Sequence, residues 1–381
     1  MELQNKKLRR SVSPSADAGI SKSDDAPAAS AKVFTQNPEA AATDDDRKNW
    51  QGWCEILSDP AYFNQMIKDL GVKGPKFTEV WNLDELVTGK NKPLALLLLF
   101  PYRGDSDDDS DEGKTPANLW FANQTTENNC ATMAIINLIM NASNIEIGEH
   151  LTQFKAFTSD FTPALRGDTL SRFEFARNIH NSFATKADML NSDLIMKNKV
   201  DKAKRRAAQT SIAGQKRRRS SDDEDVGDPN HYIGFLPFEG KLFLLDGMNS
   251  QAHCMGPLKD DNEWLEIVRE DIRKRENNHQ RDHFTLFALV REPLEQLQAD
   301  LDANVEKAKT AEGEELLELI GEQDELEGKI KEERTVAEEE SRRVEERRAD
   351  FQPFIRRWLE ILADKGVLKD LVEAQESLDA A

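Results

Sequence analysis

A chain of 381 residues is long enough for one large domain and a further element. Its 38% hydrophobic and 32% charged content describe a folded core diluted by solvated segments. A formal net charge of −20 argues against non-specific binding to nucleic acid or to anionic membranes, and three widely spaced cysteines with no CxxC pair argue against a disulfide framework or a structural zinc site.

Residues 1–46, rich in Ser, Ala, Asp and Pro, read as a disordered tail, with structure starting near Trp50. Asp59-Pro60 opens a short amphipathic helix carrying Phe63, Ile67 and Leu70. After Pro93 the run to Phe100 is uninterrupted and apolar, as in a strand buried on both faces; a buried helix fits the pattern too, but the run is too short to span a bilayer. Residues 104–116 form an acidic loop. A helix is predicted from Asn128, capped by Asn128 or Asn129, with Ala134, Ile135, Leu138 and Ile139 as its apolar face. Residues 146–165 and 168–190 have helical patterns, and 194–230, mostly Lys, Arg, Ser and Asp, read as a long mobile insertion. Strands follow at 231–237 and 241–246, joined through Glu239-Gly240, and Phe284 to Val290 supplies the strand that closes the domain.

Beyond residue 292 the pattern is helical and charged. Leu294, Leu297, Leu301 and Val305 share a face, and 313–350 read as a solvated helix or weak coiled coil. Apolar density returns over 351–372, where Lys365-Gly366 divides two short helices.

Four residues carry the chemistry. Cys130 falls in the first turn of a predicted helix, where backbone N–H groups and the helix dipole favour a thiolate and should lower the thiol pKa. A two-residue turn at Glu239-Gly240 sets position 233 opposite 246, so His231 and Asp246 share a face as diagonal cross-strand neighbours. Asp246 can then accept the imidazole N–H and fix its tautomer. Taken singly, each has an ordinary reading: a buried cysteine at a helix–sheet contact, a strand-edge histidine, an aspartate ending a strand before Gly247. Gln124 lies in the loop entering the helix. Its amide could face a developing oxyanion with the Cys130 N–H as second donor, a role that spacing alone does not assign.

At these residues the chain resembles the ubiquitin carboxyl-terminal hydrolases, a papain-like cysteine peptidase family, over about residues 49–292. The segment Trp53 to Pro60, Gln124 with Cys130-Ala-Thr132, His180 to Phe183, and His231 followed by Asp246-Gly247 carry the resemblance. It implies an α+β fold, a papain-like domain with a central antiparallel sheet flanked by helices, followed by a C-terminal all-helical extension. It implies Cys130 as nucleophile, His231 as general acid/base and proton donor, Asp246 as the residue orienting His231, and Gln124 as oxyanion stabiliser. The expected reaction is hydrolysis after the C-terminal glycine of ubiquitin through an acyl-enzyme thioester, without metal or cofactor. The rival reading is a low-turnover scaffold that binds ubiquitin or an adaptor. Asn129 departs from the family, where a small residue usually precedes the nucleophile.

The resemblance divides the chain into a tail at 1–46, a catalytic domain at 47–292 with a crossover insertion at 185–230, a charged helical linker at 293–350, and an extension at 351–381. That extension is similar to the one through which proteasome-associated and BRCA-associated members dock on adaptors, so a proteasomal or chromatin-complex subunit is the expected partner beside ubiquitin and ubiquitinated proteins. A long crossover segment costs little extra closure entropy and would pass bulky conjugates. Lys202, Lys204, Arg205, Arg206 and Lys216 to Arg219, followed by Ser220-Ser221 and Asp222 to Asp225, form a two-part basic cluster beside serines. A nuclear import signal, and hence nuclear and cytoplasmic residence, is one reading; a solvated charged loop is the plainer one. His253-Cys254 lack further residues at zinc-ligand spacing.

Overall fold

A computed structural model describes residues 40–82, 84, 92–101, 115–212, 230–260, 263–278 and 284–369. Residues 1–39 of the expected tail, most of the acidic loop, the second half of the basic cluster with its serines, and Leu371 and Val372 lie outside these. Asn37–Ala381 cluster as one compact unit.

The sheet follows from the leucine run. Strand β2 (Ala95–Pro101) lies in the middle of a six-stranded antiparallel sheet, with β1 (Pro75–Val80), β3 (Asn230–Phe238), β4 (Lys241–Asp246), β5 (His253–Pro257) and β6 (Thr285–Arg291) in the order β1-β6-β2-β3-β4-β5. Because side chains alternate, Leu97 and Leu99 enter one core while Leu96 and Leu98 enter another on the opposite face. The first core is covered by helices α2 (Pro60–Asp69) and α3 (Cys130–Ile139). The second is covered by α8 (Glu263–Asn278) through Trp264, Leu265, Val268 and Ile272. A run apolar at every position is what a strand needs when both faces are covered.

The β3–β4 hairpin turns at Glu239 and Gly240, with φ of 46° and 73°, the positive pair that a two-residue turn between twisted strands requires. Its register sets Ile233 opposite Asp246, as the turn length predicted.

Helix α1 (Asp44–Asn49) starts earlier than the expected onset at Trp50. Thr43 and Asp46 form a capping box, and buried Arg47 donates from Nε to the Ala184 carbonyl at 2.9 Å. Asp59 caps α2 through the Ala61 N–H at 2.8 Å, with Pro60 opening the helix. The helical stretches predicted over 146–190 are four: α4 (Gly148–Phe157), α5 (Pro163–Ser171), α6 (Glu174–Asn181) and α7 (Lys186–Ile212). Helix α7 corrects the reading of 194–230 as a mobile loop, because 194–212 is helical. Lys, Arg, Ala and Met are good helix formers, and their charge decides solvation rather than backbone conformation.

Beyond β6, α9 (Pro293–Ala308) pairs with the 36-residue α10 (Glu314–Ala349). Leu294, Leu297 and Leu301 are half-buried, whereas Val305 is exposed. Buried Asn304 donates to Glu322 at 2.7 Å and accepts from Gln323 at 3.0 Å, a polar contact within an otherwise charged pair. Helix α10 is not solvated throughout. Its Val344 enters the first core, and Arg343, Arg347 and Arg348 meet Asp59, Asp188 and Asp69 at 2.6, 2.7 and 2.6 Å. Such partly screened pairs contribute up to about 1 kcal/mol each. Asp350, in the left-handed region, ends the helix and accepts from the backbone N–H groups of Ala42 and Lys186. Helix α11 (Gln352–Asp364) follows and buries none of its residues.

Candidate active site

Helix α3 is buried on every side from Ala131 to Ile139, so it is a central helix rather than a one-faced surface helix. Two asparagines past its midpoint build the approach to its start. Asn137 accepts from the Ala122 N–H at 2.9 Å and donates to the Ala122 carbonyl at 3.0 Å; Asn141 treats Trp120 in the same way, at 2.8 and 2.6 Å. Side chains four apart lie on one helix face, so the two amides act as a short strand and hold residues 120–122 extended. The extended chain then delivers Asn123 and Gln124.

Gln124 is fixed against the far end of the hairpin. Its backbone N–H donates to the Gly247 carbonyl at 2.8 Å, directly after Asp246. Its Nε2 donates to the Thr126 carbonyl at 3.0 Å, while its buried Oε1 has no hydrogen-bond partner among the described residues. Gly167 of α5 approaches so closely that a Cβ there would stand 1.9 Å from the Asn123 carbonyl oxygen.

Cys130 is the first residue of α3. Neither predicted asparagine caps the helix: Asn129 makes no side-chain cap bond, and Asn128, at φ 63°, donates to the Trp53 carbonyl at 3.2 Å. The first-turn amides are therefore not taken by a side-chain cap. The backbone N–H groups of Ala131, Cys130 and Tyr232 stabilise the sulfur's charged form, but burial exceeds them and pushes the thiol up to about 11. This reverses the expected lowering by the helix end, so the thiol is neutral at pH 7 in this state. The Tyr232 contact has a second meaning: it sets Cys130 against the residue adjoining His231.

His231 is 5% exposed and its Nε2 lies 2.7 Å from Asp246 Oδ1, which also accepts the Met248 N–H at 2.8 Å. A carboxylate can only accept from a neutral imidazole, so Nε2 carries the proton and Nδ1 is the basic nitrogen. The phenyl ring of Phe100, its partner in register, packs edge-on against the imidazole at 5.9 Å. The four sequence-predicted residues thus meet at one end of the sheet: Cys130 beside Tyr232, His231 on Asp246, and Gln124 sewn to the turn after Asp246. The Tyr232 amide was missed from sequence, because a main-chain group carries no motif.

A second histidine serves structure. His180 is wholly buried, its Nε2 2.7 Å from the Cys54 carbonyl and its Nδ1 2.6 Å from Thr132 Oγ1, with Trp53 edge-on at 4.9 Å. The carbonyl fixes Nε2–H, so Nδ1 accepts the threonine proton and the ring stays neutral; burial lowers its pKa to about 4. Since the unfolded chain protonates near 6.5, the native state is at full stability above that value and loses up to about 3 kcal/mol as pH falls from 6.5 to 4. NMR should show His180 still neutral at pH 5; a ring that protonates near 6.5 would contradict this burial.

The sequence model described as ubiquitin carboxyl-terminal hydrolase, family 1, matches residues 53–277. The chain belongs to that family. This hydrolase is a cysteine-type deubiquitinase, a thiol protease of the ubiquitin pathway. It is 31% identical over 261 residues to the ubiquitin carboxyl-terminal hydrolase isozyme L5 of Dictyostelium discoideum, which covers 68% of this chain and 67% of that one. It is 29% identical over 325 residues to ubh-4 of Caenorhabditis elegans, 84% and 90% of the two chains. It is 26% identical to BAP1 of Xenopus tropicalis over 59% of this chain and 31% of that one. A crystal structure of Trichinella spiralis UCH37 bound to ubiquitin vinyl methyl ester shares the fold, with a TM-score of 0.53 at 22% identity over 74% of this chain and 99% of that one. Among its relatives are an isozyme L5 and BAP1, the subtype that its sequence suggested.

Proposed function

We propose that Cys130 is the nucleophile of a ubiquitin C-terminal hydrolysis, with His231 as general acid/base, Asp246 orienting it and Gln124 stabilising the oxyanion. The observation carrying this reading is the His231–Asp246 hydrogen bond beside the residue whose N–H reaches the Cys130 sulfur. His231 takes the thiol proton as the sulfur adds to the carbonyl carbon of ubiquitin's terminal glycine. The oxyanion receives an N–H of Gln124 and the N–H of Cys130. Collapse to the thioester expels the amine, protonated by His231, and the same imidazole then activates water for deacylation. Treatment with ubiquitin vinyl methyl ester should load the protein at Cys130, as read by peptide mapping. No adduct and no cleavage would favour the scaffold reading, and an adduct at Cys54 or Cys254 would remove Cys130 as the nucleophile.

We infer further that α11 docks a proteasomal or chromatin-complex subunit. Phe354, Ile355, Trp358 and Leu359 of this helix are all exposed, a patch that water disfavours. A subunit that co-purifies with the wild type should be lost on Trp358→Asp. We also propose nuclear and cytoplasmic residence through the basic cluster, whose Lys202 and Lys204 are exposed. A fluorescent fusion lacking 202–219 that remained nuclear would remove that idea.

A further inference from the structure

Six positions separate Gln124 from Cys130, and the two groups can serve one tetrahedral centre only if the loop between them holds a fixed shape. Three of its side chains converge on one atom outside it. Ser171, the last residue of α5, is 7% exposed. Its hydroxyl donates to the Gly167 carbonyl at 2.9 Å, one helical turn earlier, which leaves its lone pairs for the loop. Thr125 Oγ1 at 2.9 Å, Thr126 Oγ1 at 3.3 Å and Asn129 Nδ2 at 3.4 Å all face the Ser171 oxygen. Three donors share two lone pairs, so Thr125 holds the best bond and the other two are long. The carbonyl of Ser171 accepts the Trp53 indole N–H at 3.2 Å, so the serine is held from its other side as well.

The link to the chemistry runs through Thr126. Its carbonyl accepts one N–H of the Gln124 amide at 3.0 Å. An amide is planar, so the direction of that bond fixes the direction of the second N–H. Ser171 anchors Thr126, and Thr126 aims Gln124. Helix α5 is the template for this loop at a second point too, where the Asn123 N–H donates to the Pro163 carbonyl and Gly167 allows the close approach described above. We propose that Ser171 is a positioning residue for the reaction, holding the loop so that the Gln124 amide meets the oxyanion; this rests on the role proposed for Gln124. A hydroxyl placed to stabilise a helix end needs only its bond to Gly167. Acceptance from three residues of one catalytic loop is what that role leaves unexplained.

Steady-state cleavage of a ubiquitin C-terminal fluorogenic amide by the full chain tests this with a double-mutant cycle. Gln124→Ala should lower kcat about 100-fold. Ser171→Ala should lower kcat about tenfold with KM unchanged, and should have almost no further effect when added to Gln124→Ala. An unchanged kcat in Gln124→Ala overturns the role of Gln124 itself. A normal response there, with Ser171→Ala either inactive on kcat or costing the same tenfold in both backgrounds, overturns the proposal for Ser171 alone. Should Ser171→Ala not fold, Thr126→Val removes one spoke at an exposed position; about a threefold fall in kcat that vanishes in the Gln124→Ala background supports the relay, and its absence or persistence there refutes it.

Discussion

Replacing His231 with asparagine is expected to lower kcat/KM for a ubiquitin C-terminal amide by about four orders of magnitude. The size follows from the thiol. With its pKa pushed up to about 11, roughly one Cys130 in 10,000 is ionised at pH 7 without a base. The helix end does not supply the thiolate unaided, so in the proposed mechanism His231 takes the proton during attack. Asparagine has no basic nitrogen, and its shorter amide, which matches the position of Nδ1 rather than Nε2, also gives up the bond to Asp246. The residual rate of the variant should climb about tenfold per pH unit between pH 7 and 9, because only spontaneously ionised sulfur reacts below the thiol pKa. The wild type should show no such slope. Stopped assays across that range, with ubiquitin binding measured separately, would decide it. A variant that retains a tenth of wild-type activity would mean that the thiolate is preformed.

Phe63→Ala should lower the unfolding free energy by about 3–5 kcal/mol, a large share of the roughly 5–15 kcal/mol typical of a folded domain. Phe63 is 0% exposed and packs edge-on against Phe77, Tyr232 and Phe287 with ring centroids 5.9, 6.0 and 5.2 Å away. Removing the ring deletes dispersion contacts with three strands, β1, β3 and β6, and leaves a cavity behind the Tyr232 backbone that faces Cys130. Urea midpoints for this variant and for Phe157→Ala, where the ring is 67% exposed, give the comparison. The exposed change should cost under about 1 kcal/mol. Equal shifts would show that the Phe63 site repacks.

The centre of the fold was legible in the sequence because its elements have strong local causes. The leucine run admits few structures other than a strand covered on both sides. Glu239-Gly240 sets a register and hence the His231–Asp246 pair. Edge strands β1 and β5 left little trace. Among the β1 residues only Pro75 and Phe77 are buried, and β5 is short, contains Gly256 and ends at Pro257 beside a register shift in its partner. Helix α8 is dense in charge, and its four core residues stand out only once a bare sheet face needs cover. The reading of 194–212 as a loop took solvation for conformation. At the candidate site, Cys130, His231 and Asp246 were singled out from chemistry and pairing, and Gln124 from resemblance. The groups that hold them in place were not: Asn137, Asn141 and Ser171 act on backbone or on neutral hydroxyls, and their residue types are common in helices with no such task.

The last two turns of α10 change what counts as a part of this molecule. Arg343, Arg347 and Arg348 neutralise Asp59, Asp188 and Asp69, which belong to α2 and to the root of α7, and Asp350 closes on the Lys186 N–H. A fragment cut at residue 292 would keep the four candidate site residues and lose all three counter-ions. It would present three unbalanced carboxylates, at the two ends of α2 and in the first turn of α7. The C-terminal helices are thus an electrostatic keel for the hydrolase, and the fragment's kinetics would describe a molecule that has lost its ballast.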